Sequence, residues 1–299
     1  MNCDVLVVGA GCAGLTAAIY AARAGRSVLV LEQAAVGGQI AYSPRVENYP
    51  GIPSVSGAAF ADALLEQAEA LGVRLELETA ERLLPGRPHT VVTDCGSHTA
   101  AAVVVAVGAQ HRRLGVPGEE TLSGVSYCAV CDGAFYRGRD VAVVGGGSTA
   151  LESAEFLAGL CRSVRLIHRR DAFRGEPQLA ARVLALPNVT AELGCTVQAL
   201  AGDGAVAAVV LDGPGGRRTV PADGVFVCIG QEPGTAAFAD VLTLDGAGYV
   251  AAGEDCRTNV PGVFAAGDCR AKAVRQLTPA AADGSVAALA AAAACAARP

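Results

Sequence analysis

Positive charge is scarce in this chain. Lysine and arginine together number 23 against 29 aspartates and glutamates, Lys272 is the only lysine, and no dense basic tract occurs. With a formal net charge of −6, the sequence excludes a nucleic-acid-binding protein that relies on a basic face. Charged residues make up only 17% of the 299 residues and hydrophobic residues 52%. This balance excludes extended disorder and supplies enough apolar residues for two domains.

Targeting signals are also lacking. Asp4, and no basic residue, precedes the apolar run at residues 5–8, so a secretory signal peptide is not predicted. The C-terminal run "SVAALAAAAACAA" is too short and too rich in alanine to predict a membrane span. Most of the eleven cysteines stand alone in apolar segments, as is typical of buried free thiols in a reducing compartment. We therefore expect a cytoplasmic protein that contacts no membrane.

A glycine-rich loop follows the first apolar run. Residues 5–8 read as a buried parallel strand, and Gly9, Gly11 and Gly14 follow in the order G-x-G-x-x-G. In this pattern the first glycine allows a tight turn, the second a close approach to pyrophosphate, and the third close packing of helix on strand. A helix and a second strand ending at Glu32 complete the unit. This acid is placed to hold a ribose hydroxyl, which predicts a dinucleotide site.

The same pattern occurs again later in the chain. A second apolar strand precedes Gly145 and Gly147 in a G-x-G-x-x-A loop, and another helix and strand follow. Alignment of the two loops places His168 where the first unit has Glu32. The chain therefore contains two predicted dinucleotide-binding units, and the second lacks the acid of the first.

Arginines stand near the position of the missing acid. His168 is followed by Arg169 and Arg170, and Arg174 comes four residues later. An acid here would repel the 2′-phosphate of NADP(H), whereas arginines bind it through charge-assisted hydrogen bonds. The second unit is therefore predicted to prefer NADP(H) to NAD(H). The alternative is that these arginines form only a solvated basic end of the strand.

A third feature lies near the C-terminus. The stretch "GVFAAGD" ends at Asp268, and an alanine-rich helix follows. Asp268 can accept a hydrogen bond from a sugar or ribityl hydroxyl, and the N-terminus of the helix can stabilise negative charge on a ring. The alternative for Asp268 is an Asx turn or a helix cap.

Cys128 and Cys131 form a C-x-x-C pair just ahead of the second glycine loop. A structural zinc site needs four ligands, but the sequence has no second C-x-x-C and no histidines at ligand spacing, so no metal site is predicted. An inert buried pair stays open, because a C-x-x-C arises easily among eleven cysteines. The third interpretation is a reversible disulfide beside a redox cofactor.

Nearly the whole sequence resembles the low-molecular-weight thioredoxin reductases, which are FAD- and NADPH-dependent disulfide oxidoreductases. The resemblance implies an α/β fold with two Rossmann-like dinucleotide-binding domains, the NADPH domain being inserted into the FAD domain. Residues 1–113 and 237–299 would form the FAD domain and residues 114–236 the NADPH domain, with hinges at 113–120 and 230–235 that allow rotation. The resemblance rests on "GAGCAGLTAAIYAARAG", "GGQI…VENYPG", "CAVCDGAFYRG", "VAVVGGGSTALESA", "HRRDAFR", "VFVCIG" and "GVFAAGDC…RQLTPAAADG".

The resemblance also implies which residues bind the two cofactors. The loop "GGGSTALESA" departs from the family pattern, and we expect altered affinity there but not lost binding. Val107 also departs from it, which removes one possible hydroxyl near the flavin. For FAD the implied residues are Gly9, Gly11, Gly14, Glu32, Gln33, Gly38, Gln39, Asn48, Gly108, Asp268, Arg275 and Gln276. For NADPH they are Gly145, Gly147, Ser148, Thr149, Glu152, His168, Arg169, Arg170, Arg174, Ile229 and Gly230.

By the same resemblance, electrons pass from NADPH to FAD, then to a Cys128–Cys131 disulfide, and finally to thioredoxin or a thioredoxin-like protein. Cys131 is the implied sulfur nearer the flavin, Cys128 is the outer thiol that attacks the partner, and Asp132 is a general acid for the departing thiolate. The family also implies a homodimer.

Other functions remain possible from the sequence. A dithiol oxidase shares this architecture and closes disulfides in small molecules with O₂. It needs no NADPH, so the His-Arg-Arg sequence argues against it. A related reductase with another electron donor or carrier is a further alternative. A flavoprotein scaffold or redox sensor would be favoured by degraded glycine loops or a missing cysteine, and the sequence has neither.

Overall fold

A computed structural model describes residues 2–43 and 45–296. The described residues form two compact units. The first runs to Gln110 and resumes at Glu232, and the second is His111–Gln231, so the second is inserted between two segments of the first. The boundaries predicted from the sequence lie a few residues further along at both crossings. The loop at 113–120, predicted as a hinge, lies inside the second unit.

The secondary structure alternates between strands and helices in both units. The strands are β1 (Asn2–Val8), β2 (Val28–Glu32), β3 (Arg74–Leu77), β4 (Ala80–Leu84), β5 (His89–Thr93), β6 (Gly96–Val105), β7 (Ala109–His111), β8 (Val125–Ser126), β9 (Asp140–Val144), β10 (Ser163–His168), β11 (Val189–Leu193), β12 (Thr196–Ala201), β13 (Ala208–Asp212), β14 (Arg218–Pro221), β15 (Gly224–Val227), β16 (Gln231–Pro233) and β17 (Val263–Ala265). The α-helices are α1 (Cys12–Arg23), α2 (Gly57–Ala70), α3 (Ala129–Asp132), α4 (Ser148–Ala158), α5 (Pro177–Leu184) and α6 (Leu277–Ala296).

The sheet of the first unit has the strand order β3-β2-β1-β6-β5-β4, with β17 also paired to β6. Strands β2, β1, β6 and β17 run parallel to one another, and β1 and β2 are apolar because they are buried in the core. The carboxyl ends of parallel strands meet at one edge. The residues that follow them, Gly9, Gly108 and Gly267 together with Glu32, therefore lie along the same edge.

The main sheet of the second unit has the order β11-β10-β9-β15-β8, and all its pairings are parallel. A separate antiparallel sheet consists of β12, β13 and β14. Cys128, Gly145, His168 and Ile229 lie at or just after the carboxyl ends of β8, β9, β10 and β15. In open parallel sheets this edge is where ligands bind. Both units have the parallel architecture that the sequence predicts, and the predicted α/β class is confirmed.

Helix α6 includes the alanine-rich run that the sequence analysis judged too short to span a membrane. The helix begins earlier than that run, and among the described residues it is the one helix whose 20 residues and mean hydropathy of 1.3 satisfy the length and composition of a span. It packs closely on α1, since a Cβ on Gly284 would lie 2.3 Å from the carbonyl oxygen of Ala13. A core helix of the first unit therefore accounts for its composition.

Candidate active site

In the first glycine loop, two positions have no room for a side chain and one has open space beside it. Gly9 has a φ of +105°, and a Cβ there would lie 2.4 Å from the oxygen of Ala106. A Cβ on Gly14 would lie 1.8 Å from the oxygen of Gly9. By contrast, a Cβ on Gly11 would find only the oxygen of Gly37, at 3.9 Å. The open space at Gly11, directly before α1, fits a phosphate group at the helix N-terminus.

Alanine substitutions separate these two requirements. We expect Gly14→Ala to lower the free energy of unfolding of the apoprotein by about 2 kcal/mol, because the new methyl group overlaps backbone. We expect Gly11→Ala to change that free energy by less than about 0.5 kcal/mol, yet to weaken FAD binding at least tenfold, because the methyl group occupies the space left for pyrophosphate. Denaturant unfolding and FAD titration of the apoproteins measure both quantities. Unchanged FAD affinity in Gly11→Ala would contradict this assignment.

Glu32 supports the same loop. Its side chain is buried, and its two carboxylate oxygens accept hydrogen bonds from the backbone N–H groups of Ala10 (2.8 Å) and Ala34 (3.0 Å). The sequence predicts a bond to a ribose hydroxyl. In the structure the carboxylate already holds the turn between β1 and α1, and each oxygen keeps a further lone pair for a ligand. Gln33 is exposed beside it, and Gly38 lies against Gly11.

Asp268 is the one predicted residue of the first unit with an unsatisfied buried oxygen. It lies in a 3₁₀ turn, Gly267–Cys269, that follows β17. Its Oδ1 is buried and has no hydrogen-bond partner among the described residues. Burial raises the pKa of this carboxyl, and the nearby cations Lys272 and Arg275 offset part of that rise. Buried acceptors are rarely left unpaired, so a ligand hydroxyl at this oxygen fits the geometry.

Four of the remaining residues predicted for the first unit, Gln39, Asn48, Arg275 and Gln276, form side-chain contacts. Asn48 donates from Nδ2 to Oε1 of Gln276 at 3.2 Å, although the two residues are distant in sequence. The guanidinium of Arg275 lies 4.0 Å from the ring centroid of Tyr249, and its Nε donates a hydrogen bond to the backbone oxygen of Asp268 at 3.4 Å. The side-chain amide of Gln39 donates to the backbone oxygen of Ala109. A Cβ on Gly108 would meet no atom within 4 Å.

The second glycine loop, like the first, has one glycine packed against backbone and one with open space beside it. A Cβ on Gly145 would lie 2.3 Å from the oxygen of Cys228, whereas a Cβ on Gly147 would meet no atom within 4 Å. Gly147 is the N-cap of α4, and its first residues, Ser148 and Thr149, are exposed. The helix N-terminus is therefore open to an anion. Glu152, one turn later, is also exposed.

His168 closes the side of this loop. Its ring stacks on Phe173 at 5.8 Å and fills the space beside Gly146, where a Cβ would lie 2.3 Å from the ring. Burial lowers the pKa of the imidazole, and the nearby Arg174 and Arg170 lower it further. His168 is therefore neutral near pH 7, and its buried Nε2 has no hydrogen-bond partner among the described residues.

The three arginines around the loop are exposed. The backbone N–H of Arg174 donates to the oxygen of Gly146 at 2.7 Å, which places this arginine beside the loop. None of the three, Arg169, Arg170 and Arg174, forms a salt bridge with another described residue. Their charges therefore remain available to an anionic group. Gly230, with a φ of +109°, follows Ile229 at the neighbouring strand end.

Cys128 and Cys131 are joined by a disulfide with a Cα–Cα distance of 5.3 Å. Cys128 is the N-cap of the short helix α3, and its sulfur accepts a hydrogen bond from the N–H of Cys131 at 3.2 Å. Cys131 is exposed and Cys128 is half-buried. The other nine cysteines are free thiols. The pair is therefore a covalent redox couple and not two inert buried thiols.

Asp132 and Ser126 form a hydrogen-bonded group around this disulfide. The hydroxyl of Ser126 lies 2.7 Å from Oδ2 of Asp132 and accepts a hydrogen bond from the N–H of Cys128 at 3.1 Å. Burial raises the pKa of Asp132, and the bond from Ser126 offsets part of the rise. Sequence reasoning found Asp132 but missed Ser126, whose only signal was its position at the end of a strand two residues before Cys128.

A second group that sequence reasoning missed holds the loop at 113–120. The buried carboxylate of Glu119 accepts hydrogen bonds from the N–H groups of Leu114 (2.8 Å) and Gly115 (2.7 Å) and from the hydroxyl of Tyr127 (2.9 Å). Tyr127 immediately precedes Cys128, and its ring stacks on His111 at 5.3 Å. Through Tyr127, the segment that carries Cys128 and Cys131 therefore contacts the first residues of the second unit. Among the described residues, no group of three or more His, Cys, Asp or Glu side chains is arranged to hold a metal.

Known proteins are similar to this chain over nearly its whole length. Residues 3–284 match a family model described as pyridine nucleotide-disulphide oxidoreductase. A thioredoxin reductase of Listeria monocytogenes is 42% identical over 95% of this chain and 91% of its own length, and one of Treponema pallidum is 41% identical over 97% and 96%. The crystal structure of thioredoxin reductase from Streptococcus pyogenes superposes with a TM-score of 0.92 at 39% identity, covering 96% of each chain.

Proposed function

The chain belongs to the pyridine nucleotide-disulphide oxidoreductase family as a low-molecular-weight thioredoxin reductase, and we propose that it uses NADPH to reduce the disulfide of a thioredoxin or thioredoxin-like protein. The observation that carries the proposal is the Cys128–Cys131 disulfide beside Asp132, in the same unit as an open glycine loop. Thiol–disulfide exchange proceeds by attack of a thiolate on a disulfide sulfur, and an acid beside the pair can protonate the thiolate that departs.

The family implies FAD and a nicotinamide nucleotide as cofactors. We assign FAD to the first unit, because Gly11 leaves space for a pyrophosphate and Asp268 offers a buried unpaired acceptor. We assign NADPH to the second unit, because the N-terminus of α4 is open and Arg174 is hydrogen-bonded to the glycine loop through Gly146, and because Arg169, Arg170 and Arg174 are exposed and form no salt bridge among the described residues. Bound FAD supplies the two-electron carrier between the nicotinamide and the disulfide.

The chain's own sulfur atoms carry out the rest of the reaction. Reduction by two electrons breaks the Cys128–Cys131 bond. The Cys128 thiolate then attacks the partner's disulfide, forming a mixed disulfide and releasing one partner thiolate. Cys131 attacks the sulfur of Cys128, which restores the Cys128–Cys131 bond and frees the partner as a dithiol. The assignment of Cys128 as the attacking thiol follows the family pattern and not the exposure, because Cys131 is the more exposed of the two residues in the oxidised chain.

Asp132 is assigned the proton transfer to the departing thiolate. Because burial raises its pKa, Asp132 keeps its proton to a higher pH than an ordinary aspartate, and donation declines as the pH rises through this raised pKa. We expect Asp132→Asn to slow disulfide exchange about 100-fold and to remove this decline. Stopped-flow rates of partner reduction from acidic to neutral pH measure both effects.

Ser126→Ala is the matched variant for this assignment. The Ser126 hydroxyl lowers the pKa of Asp132, so its removal raises that pKa further and should move the decline to higher pH without abolishing the rate. If Asp132→Asn keeps the wild-type rate and pH profile, Asp132 is not the proton donor.

The experiment that tests the function is an anaerobic titration of the FAD-loaded chain, first with NADH and then with NADPH, followed by oxidised thioredoxin. We expect NADPH to bleach the flavin absorbance at far lower concentration than NADH, and thioredoxin to restore it over repeated cycles. If a small dithiol bleaches the flavin and neither nicotinamide does, the chain is an oxidase.

We also propose that the chain forms a homodimer in the cytoplasm. The dimer follows the family, and the compartment follows nine free cysteines, which suit a reducing environment. Sedimentation equilibrium of the FAD-loaded chain tests the dimer, and a single species of monomer mass would contradict it.

A further inference from the structure

A buried ionic cluster lies under the turn that carries Asp268. Asp283, on α6, has a side chain only 7% exposed, and it pairs with Arg270 and Lys272, whose side chains are 3% and 6% exposed. Oδ2 of Asp283 accepts hydrogen bonds from the N–H of Gly267 (3.0 Å), Nε of Arg270 (2.9 Å) and Nζ of Lys272 (2.7 Å), and Oδ1 accepts from Nη2 of Arg270 (2.8 Å). One carboxylate thus receives four hydrogen bonds.

All four bonds come from the segment that surrounds Asp268. Gly267 immediately precedes Asp268, and Arg270 and Lys272 follow it by two and four residues. Asp283 therefore fixes both flanks of the residue whose Oδ1 is buried and unpaired. Glu254, the other acid that contacts Arg270, is 93% exposed at 3.2 Å and contributes little to holding the segment.

The cluster also engages two cations that lie close to Asp268 in the chain, Arg270 and Lys272. Lys272 is close enough to Asp268 to lower its pKa against the effect of burial. While Asp283 holds Lys272 and Arg270, neither cation occupies Oδ1 of Asp268. Without that carboxylate, two buried cations lose their buried partner. Because Lys272 already acts on the carboxyl of Asp268, we expect Lys272 to turn towards it.

We infer that Asp283 is a positioning residue for the flavin: it holds residues 267–272 so that Oδ1 of Asp268 stays in place and free to accept a hydroxyl of FAD. The inference rests on the proposed function only in taking FAD as the ligand of the first unit. Asp283 does not itself touch the ligand in this scheme and acts through Asp268.

The first test is FAD binding to the apoprotein, followed by quenching of FAD fluorescence. We expect Asp283→Asn to raise the Kd for FAD about tenfold or more, as loss of a supporting residue around a bound group commonly does. The double variant Asp283→Asn/Lys272→Met should recover part of this affinity, because the released cation is then absent. A Kd for Asp283→Asn within twofold of wild type would overturn the inference.

Glu78→Gln is the matched control for a loss of stability alone. Glu78 is a half-buried carboxylate of the same unit that accepts a hydrogen bond from Thr93 (2.6 Å) and pairs with His98 (2.7 Å). Among the described residues, no hydrogen bond or ion pair joins it to residues 267–272. We expect Glu78→Gln to lower the Tm but to leave the Kd for FAD unchanged. If both variants change the Kd equally, Asp283 has only a structural role and the inference fails.

Lys272 gives a second measurement that does not need a folded Asp283 variant. As the single lysine of the chain, it yields one peptide to follow by mass spectrometry after acetylation. We expect Lys272 in the wild type to react far more slowly than free Nα-acetyl-lysine, and we expect Lys272→Met alone to raise the Kd for FAD severalfold. Fast acetylation together with an unchanged Kd in Lys272→Met would overturn the inference even if Asp283→Asn fails to fold.

These measurements use neither NADPH nor thioredoxin. A wild-type chain that binds FAD but reduces no thioredoxin would contradict the proposed function alone, and the comparison of Asp283→Asn with wild type would stand. Conversely, full reductase activity with an unchanged Kd in Asp283→Asn would contradict only the inference about Asp283.

Discussion

Cys128→Ser and Cys131→Ser will each reduce the NADPH-dependent turnover of thioredoxin by about 10,000-fold, because each removes one of the two sulfur atoms that carry the electrons. NADPH should still bleach the flavin in both variants, since the disulfide lies after the flavin in the sequence of electron transfer. Steady-state assays with thioredoxin, combined with anaerobic flavin absorbance, separate these two steps. Full turnover in either variant would contradict the proposed function.

The two variants also decide which sulfur attacks the partner. If Cys128 attacks, Cys131→Ser leaves a thiol that forms a mixed disulfide with thioredoxin and cannot be released. Cys128→Ser should then form no such adduct. Mass spectrometry after incubation with oxidised thioredoxin detects the adduct. An adduct confined to Cys128→Ser would reverse the roles and agree with the greater exposure of Cys131 in the oxidised chain.

Cys95→Ser is the matched control. Cys95 is an exposed free thiol in the first unit, and its pKa is raised chiefly by the neighbouring Asp94, so it is a poor nucleophile. We expect this variant to keep wild-type turnover and to form no adduct. Loss of turnover in Cys95→Ser would show that a thiol outside the C-x-x-C pair takes part in the reaction.

The sequence predicts those parts of the site whose residues follow a local pattern. The apolar strands before Gly9 and Gly145 lie in parallel sheets as expected. Each loop has one glycine that leaves open space at a helix N-terminus. The sequence predicts these features because strand, turn and helix are adjacent in the chain. Gly9, Gly14 and Gly145 are required by close backbone contacts within their own unit, whereas Gly11 and Gly147 leave open space.

The parts that the sequence does not predict depend on contacts between distant segments. Asp283 meets Gly267 only because α6 packs beneath the turn after β17, and no spacing rule connects the two. Glu32 shows the converse, since its position fits the ribose pattern while its oxygens bond to Ala10 and Ala34. A sequence motif predicts the residue type and the edge of the sheet on which it lies. It does not predict which of that residue's hydrogen bonds are made within the protein and which remain for a ligand.

The preference for NADPH is expected to depend on Arg169 and Arg170. We expect the double variant Arg169→Ala/Arg170→Ala to lower kcat/KM for NADPH about 1,000-fold, because two charge-assisted contacts to the 2′-phosphate are lost. The value for NADH should change less than about threefold, since NADH carries no 2′-phosphate. Flavin reduction at a series of nicotinamide concentrations measures both values in the same assay.

Arg217→Ala controls for the loss of positive charge. Arg217 is exposed in the same unit, away from the glycine loop in sequence, and lies outside the His-Arg-Arg segment. Removing its charge should leave both kcat/KM values within about twofold, as expected for a solvated surface residue. Raising the salt concentration should weaken NADPH binding in the wild type more than in the double variant, because screening acts on the phosphate contacts.

The alternative from the sequence, a solvated basic strand end, leads to a different result. In that case the double variant would behave like Arg217→Ala, and NADPH and NADH would be used in the same ratio as in the wild type. The structure favours phosphate recognition, because Arg174 is joined to the loop through Gly146 and the charges of all three arginines are unpaired among the described residues. Neutral His168 adds no charge of its own, so we expect the discrimination between the two nucleotides to rest on the arginines.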